Sequence, residues 1–194
     1  DFRRVSLVAA LNPDGALFSA DFRAPERLFS LLLQAAGRAG RDAQLGAAQA
    51  CEMWVQTFHP AHPVFEYLKR HDFAGFAAQQ LQEREQAGLP PFSFQGLLRA
   101  EARTQAAAQD FLNAAKALGE ARLPPDAGGL SVYPAVPMSM QRVANVERAQ
   151  MLVESHSRKH LQQFLAAWQE DLQQLRAQHK AVLRWAIDVD PLAI

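Results

Sequence analysis

The run Gln34-Ala-Ala-Gly37-Arg38-Ala-Gly40-Arg41 carries the residue types best suited to chemistry in this chain. It fits the spacing Gln-x-x-Gly-Arg-x-Gly-Arg at every fixed position. Guanidinium groups present planar forks of N–H donors that match phosphate oxygens, and glycines let a backbone approach them closely. An arginine held against the γ-phosphate of a nucleotide stabilises the charge that develops during phosphoryl transfer, the arginine-finger role. Taken alone, the same run reads equally well as a helix end, with glycine for termination and two solvated arginines that suit the macrodipole.

Other groupings of reactive side chains are thinner. His59 with His62, and His156 with His160, are spaced to offer two nitrogens each to a metal, but each pair lacks a third ligand and no metal is expected. Asp188 and Asp190 alternate along a strand pattern and share a face. That placement suits a cation or an acid/base pair, although such carboxylates more often cap a chain end or pair with arginines. Trp54, Trp168 and Trp185 lie within apolar patterns and are expected in the core. The single cysteine, Cys51, excludes a disulfide framework and a four-thiolate zinc site, and reads as an inert buried thiol.

These residues need elements to hold them. Val5 to Leu11 is an almost continuous apolar run closed by Asn12-Pro13-Asp14-Gly15, the pattern of a buried parallel strand and a turn. Leu28, Leu31, Leu32, Ala35, Ala36 and Ala39 fall at helical spacing after Pro25, so a helix is expected over 24–39 with Gly40 at its end. A second strand is expected from Cys51 to Thr57, and a longer helical stretch from Pro63 to Ala87. Strand, helix, strand points to part of an α/β sheet. After the Gly88-Leu-Pro-Pro91 boundary the order changes: strand 94–101, helix 104–118, strands 130–136 and 146–154, helix 157–178 and strand 182–189. That is βαββαβ, the ferredoxin-like order, an α+β arrangement of a four-stranded antiparallel sheet with two helices on one face.

Composition sets outer bounds. The chain has 194 residues, 49% of them hydrophobic, enough to bury a core in one domain or two small ones. Lys plus Arg number 20 and so do Asp plus Glu, so any nucleic-acid contact must be local rather than a product of overall charge. No apolar run approaches the roughly 20 residues of a membrane span and no leader pattern opens the chain, which together suggest a cytoplasmic protein. Asp1 stands where Met would begin a complete chain, and the N-terminus reads as a cut.

Several blocks resemble the PriA family of replication-restart helicases of superfamily 2. The 34–41 run matches helicase motif VI. Upstream, Asp1-Phe2-Arg3-Arg4-Val5-Ser6-Leu7-Val8, then Asp14-Gly15-Ala16-Leu17-Phe18-Ser19-Ala20-Asp21-Phe22-Arg23 and Glu26-Arg27, are similar to the family's connection from motif V to motif VI. Downstream, Gln56-Thr57-Phe58-His59-Pro60-Ala61-His62-Pro63, Leu89-Pro90-Pro91-Phe92 and Trp185-Ala-Ile-Asp188-Val-Asp190-Pro191-Leu192 follow in the family's order.

The resemblance implies a remnant of a RecA-like helicase lobe 2 at 1–62, a helical linker at 63–88 and a ferredoxin-like C-terminal domain, similar to ribosomal protein S10, at 89–194. It implies that the parent is an ATP-dependent 3′-to-5′ DNA helicase that restarts stalled forks and assembles the primosome. ATP, Mg²⁺ and two zinc sites would then be served by upstream parts, and this stretch alone would be inactive. Carried over by position, Arg41 and Arg38 would face the nucleotide phosphates, with Arg41 as the finger. Gln34 and Gly37 would support them, and Asp14 and Gly15 would lie near the cleft between lobes. Arg158 and Gln162, one helical turn apart, match positions that receive the acidic tail of single-stranded DNA-binding protein. Branched or forked DNA and other primosome proteins are the remaining partners implied. Where the family has a basic, aromatic loop, this chain has Met140 to Arg148, which keeps only Arg142 and Arg148 for DNA and no aromatic residue for stacking. The alternative, from another class, is an autonomous module that docks DNA or single-stranded DNA-binding protein without ATP chemistry.

Overall fold

The structure, a computed structural model, describes residues 5–19, 21–39, 52–123, 129–192 and 194. The chain divides into two units, Asp1–Ala87 and Gly88–Ile194.

In the first unit, strands β1 (Leu7–Leu11) and β2 (Glu52–Gln56) run parallel, with Leu7 opposite Glu52 and Leu11 opposite Gln56. Between them come a short helix α1 (Asp14–Leu17) and helix α2 (Ala24–Ala36), and after β2 come α3 (Pro63–Lys69) and α4 (Phe73–Gln86). The strands alternate half-buried and exposed residues, so the expectation of a fully buried strand at Val5 to Leu11 is corrected. The reason is that the described residues cover the strands from one side. Ala10, Met53 and Val55 pack toward the core of Leu17, Leu28, Phe29, Leu32, Val64, Phe65 and Phe76, while Leu7, Leu11 and Trp54 point the other way. Trp54, expected in the core, is 61% exposed.

Helix α2 has proline in its first turn, buries Leu28, Phe29 and Leu32, and ends at Ala36 rather than Ala39. Beyond it, tight turns take over, with the Arg38 N–H donating to Ala35 O and the Ala39 N–H to Ala36 O. The stretch 63–88, expected as a linker, contains two helices separated by His71 at φ 53°. Asp72 caps α4 by accepting the Gly75 N–H at 2.8 Å. Phe76 of α4 stacks on Phe29 at 4.4 Å between ring centroids, so this helix belongs to the first unit's packing.

The second unit contains β3 (Phe94–Ala102), α5 (Gln105–Ala121), β4 (Ser131–Val132), β5 (Val136–Val143), β6 (Val146–Ser155), α6 (Arg158–Gln178) and β7 (Val182–Val189). The sheet is antiparallel in the order β4-β6-β3-β7, with β5 also paired to β6. Thr104 and Ser157 cap the two helices through their hydroxyls. Leu98, Ala100 and Ala102 of β3 and Ala149, Met151 and Val153 of β6 face one side, where they meet Phe111, Leu112 and Ala115 of α5 and Leu161, Phe164, Leu165 and Trp168 of α6. This is the period-2 logic of a half-covered sheet. The chain is thus a mixture of α and β, with an antiparallel α+β second unit.

The expected strand 130–136 and the loop over 140–148 are corrected. The first breaks into Ser131–Val132, followed by a Tyr133 N–H bond to Leu152 O at 2.9 Å, before β5 begins at Val136, while Val136–Val143 and β6 form a hairpin closed by Ala144-Asn145, with φ of 49° and 64°. Two residues of positive φ make the primed turn that matches strand twist. Alanine rarely takes that conformation, so the sequence offers no Asn-Gly signal there.

Trp168 is fully buried, and its indole N–H donates to Ala115 O at 3.0 Å. A Cβ at Gly119 would lie 3.2 Å from Phe164 Cζ and 3.3 Å from the Trp168 indole. Trp168→Ala should therefore lower the second unit's stability by about 3–5 kcal/mol, and Gly119→Val by about 1–3 kcal/mol through overpacking. Urea denaturation followed by near-ultraviolet circular dichroism measures both, and a midpoint unchanged in either variant would contradict the packing described.

Candidate functional sites

In α/β structures ligands gather beyond the carboxyl ends of parallel strands. Here those ends are tied together. After β1 the chain turns through Asn12, at φ 50°, and Pro13 into Asp14, the first residue of α1. After β2 it reaches Thr57, Phe58 and His59. The Asp14 carboxylate accepts the Thr57 hydroxyl proton and the Phe58 N–H, the latter at 3.0 Å. The Asn12 N–H adds a bond to Gln56 O at 3.1 Å. The Thr57 hydroxyl, then the Phe58 N–H and, least, the charge of His59 hold the Asp14 carboxyl below its usual 3.8, outweighing the opposite effect of desolvation. His59 meets the edge of Phe18 at 4.6 Å, and His62 accepts the Val64 N–H through Nδ1 at 3.3 Å to cap α3. Burial lowers the pKa of His62, with Glu83 opposing and His59 assisting. Both histidines therefore have structural neighbours of their own. A Cβ on Gly15 would meet no atom within 4 Å, so packing does not require glycine there.

Gln34, Gly37 and Arg38 lie exposed at the C-terminal end of α2. Gly37 caps the helix, its N–H donating to Leu33 O at 3.0 Å. Gly40 and Arg41 lie outside the described residues, as does Cys51. Asp14 uses its hydrogen bonds on Thr57 and Phe58, and none of those described joins it to Gln34, Gly37 or Arg38. Thr57 was legible as the end of a strand, but only the pairing of β1 with β2 reveals it as the partner of Asp14.

Arg158 and Gln162 occupy the first turns of α6, where Ser157 accepts the His160 N–H as the cap. The Arg158 guanidinium lies 4.6 Å over the Phe94 ring and donates to Asp190 at 2.9 Å. Gln162 lines a groove of about 440 Å³ between α6 and β7, with Leu165, Ala166, Gln169 and Val189 among its walls. An acidic peptide end reaching Arg158 would compete with Asp190, a residue that sequence reasoning placed beside Asp188. The two aspartates part company here: Asp188 pairs with Arg99 at 3.3 Å, and Asp190 lies beyond β7 at φ 53°. Arg142 and Arg148 are carried on the two strands of the hairpin rather than on a loop. Arg142 lies 3.6 Å from Glu147 and donates to Asn145, and Arg148 lies 3.6 Å from Glu101.

No group of three or more potential metal-binding side chains occurs among the described residues, and no helix among them is long and apolar enough to cross a membrane. Residues 85–192 match the family described as primosomal protein N C-terminal domain. Among curated proteins, the chain is similar to the replication restart protein PriA of Haemophilus influenzae, 37% identical over 98% of this chain and 24% of that protein. The PriA proteins of Treponema pallidum and Synechocystis sp. are 34% and 32% identical over the whole chain and cover 28% and 22% of themselves. The chain thus spans about a quarter of the length of the curated relatives it matches.

The tie between the strand ends has a measurable acid limb. Because the folded pKa of Asp14 is depressed, its contribution to stability is present above the unfolded value and is lost as pH falls through the folded one, below 3.8. Thr57→Val should raise the Asp14 pKa toward the ordinary value and shrink the loss of stability over that acid window. Carboxyl ¹³C titration of Asp14, with thermal melts between pH 2 and 6, tests this, and an unmoved pKa would refute the Thr57 contribution.

Proposed function

This chain belongs to the primosomal protein N C-terminal domain family, and on that premise we propose that it serves as the C-terminal part of an ATP-dependent 3′-to-5′ DNA helicase that restarts stalled replication forks. The observation that carries the reading is the strand order of the second unit. Numbered within the βαββαβ series, β7-β3-β6-β5 is the order four-one-three-two, with α5 and α6 on one face. That order supports a ferredoxin-like C-terminal domain, and the parallel pairing of β1 with β2 is compatible with the later part of a RecA-like lobe before it.

In this reading the parallel strands and α2 form the lobe-2 remnant, and the 34–41 run contributes one edge of a nucleotide site. Arg41 serves as the finger on the γ-phosphate, and Arg38 and Gln34 hold the phosphates in register. ATP and Mg²⁺ would supply the phosphoryl group and its charge neutralisation, held largely by parts of the parent outside these residues, as its zinc would be. The tie through Asp14 keeps the strand ends fixed while the motif bears load. The second unit engages branched DNA, and its Arg158 with Gln162 receives the carboxylate-ended tail of single-stranded DNA-binding protein, exchanging Asp190 for the incoming acid. Assembly with other primosome proteins and a cytoplasmic location follow from the same role.

In the full-length protein, Arg41→Ala should lower DNA-stimulated ATP hydrolysis by about 10³-fold or more while leaving DNA binding near wild type. Arg158→Ala should weaken binding of an acidic tail peptide without touching hydrolysis. Steady-state ATPase on forked DNA and fluorescence anisotropy of the labelled peptide read the two effects. A full-length protein that binds forks but never hydrolyses ATP would sink the helicase reading in favour of a docking module.

A further inference from the structure

The face of the second unit's sheet that α5 and α6 do not cover carries an arrangement that no motif predicted. Residues of odd number on β3 point there, and Glu101 stands directly opposite Arg148 of β6 on one side and Arg184 of β7 on the other. Arg99, two residues along the same strand and therefore on the same face, completes a set of three guanidinium groups around one carboxylate. Together with Ala186 and Trp185 these four side chains line a cavity of about 210 Å³.

The donors outnumber the acceptor. Arg148 approaches Glu101 only to 3.6 Å, beyond hydrogen-bond reach, and its Nε–H is buried without a hydrogen-bond partner. Arg99 turns toward Asp188, at 3.3 Å, on the neighbouring strand. Arg184 is exposed at the rim, and the small, exposed Ala186 leaves the cavity mouth clear. Three arginines and one glutamate line the cavity, and with Asp188 beside it on the same face the count is three positive charges to two negative, in a chain whose 20 basic and 20 acidic residues balance. Like charges on adjoining strands repel one another, and an oxyanion placed between them removes the repulsion and accepts the Arg148 Nε–H that has no partner. A tetrahedral phosphate presents oxygens in several directions at once, which suits guanidinium groups arriving from three strands better than a planar carboxylate does.

We propose that this three-arginine cavity on the helix-free face of the sheet binds a phosphate group of a nucleic-acid strand. The anion site stands on the geometry alone, and the choice of a nucleic acid rests on the DNA-binding role proposed above. Phosphate contacts position a protein on a strand without reading its sequence, so this site sets where the strand lies rather than which bases are chosen.

The test uses the full chain with fluorescein-labelled forked DNA, inorganic phosphate as a second probe, and two unlike variants. Arg148→Gln with Arg184→Gln removes donors, whereas Ala186→Glu leaves every arginine in place and adds a carboxylate at the cavity. Both should weaken DNA binding by about tenfold or more at moderate salt and make the salt dependence shallower, by about one unit of slope for each phosphate left unneutralised. Lys116→Gln, on the outer side of α5, should change neither. Wild-type DNA affinity and slope in both variants would overturn the site while leaving the DNA-binding role standing. Wild-type chain that binds no DNA, yet shows millimolar phosphate shifting the Arg148 and Arg184 side-chain Nε resonances, would overturn the nucleic-acid assignment and the DNA role together. If neither probe moves those resonances, the anion site itself is refuted.

Discussion

The second unit depends on how closely α6 can approach α5. Trp168 is the largest fully buried side chain there, and its indole needs both a cavity and an acceptor. Ala115 and Gly119, one turn apart on α5, provide both: a shallow notch and the Ala115 carbonyl. Once the indole is seated, α6 is fixed against α5, and both helices are committed to the same side of the sheet. Gly96 repeats the device on β3, where a Cβ would come within 3.2 Å of a Leu165 methyl. Small residues at these points let the layers close to contact distance.

The first unit is organised by a polar constraint rather than by a large anchor. Strands β1 and β2 are short and, among the described residues, are covered from one side, so their alignment needs help beyond five residues of pairing on each. Asp14 supplies it by bridging from the end of β1 to the end of β2, at the position where α/β proteins place their working loops. Below the strands, the stacking of Phe76 on Phe29 draws α4 into the same core as α2.

Much of this organisation was legible. Helical periodicity with Pro25 located α2 to within one turn, and the strands expected at 94–101, 146–154 and 182–189 lie within one or two residues of β3, β6 and β7. What escaped notice has physical causes. Trp54 looked like a core residue because an apolar run does not say whether one face or two will be covered. The hairpin at 136–155 was hidden because Ala144 takes a positive φ that alanine seldom adopts, and because the register of β5 on β6 shifts between Pro137 and Arg142. Arg142 and Arg148 were found as charges but not as strand residues. The meeting of Arg99, Arg148 and Arg184 depends on strand register, which no local pattern contains. The spacing of the 34–41 run is local and can be read from sequence, whereas the partners of Arg158, Phe94 and Asp190, come from segments far away in sequence.

The distribution of the three indoles gives the molecule a built-in optical division. The first unit holds one, Trp54, largely in solvent, with its N–H donating to Glu52 at 2.8 Å. The second holds Trp168, sealed from water, and Trp185, half covered at the edge of the core. Emission from the first unit is therefore red-shifted and open to a dissolved quencher such as acrylamide, and the blue-shifted component reports on the second unit. Quenching therefore separates the exposed Trp54 of the first unit from the sealed Trp168 of the second, with Trp185 between the two, and no label is attached to either.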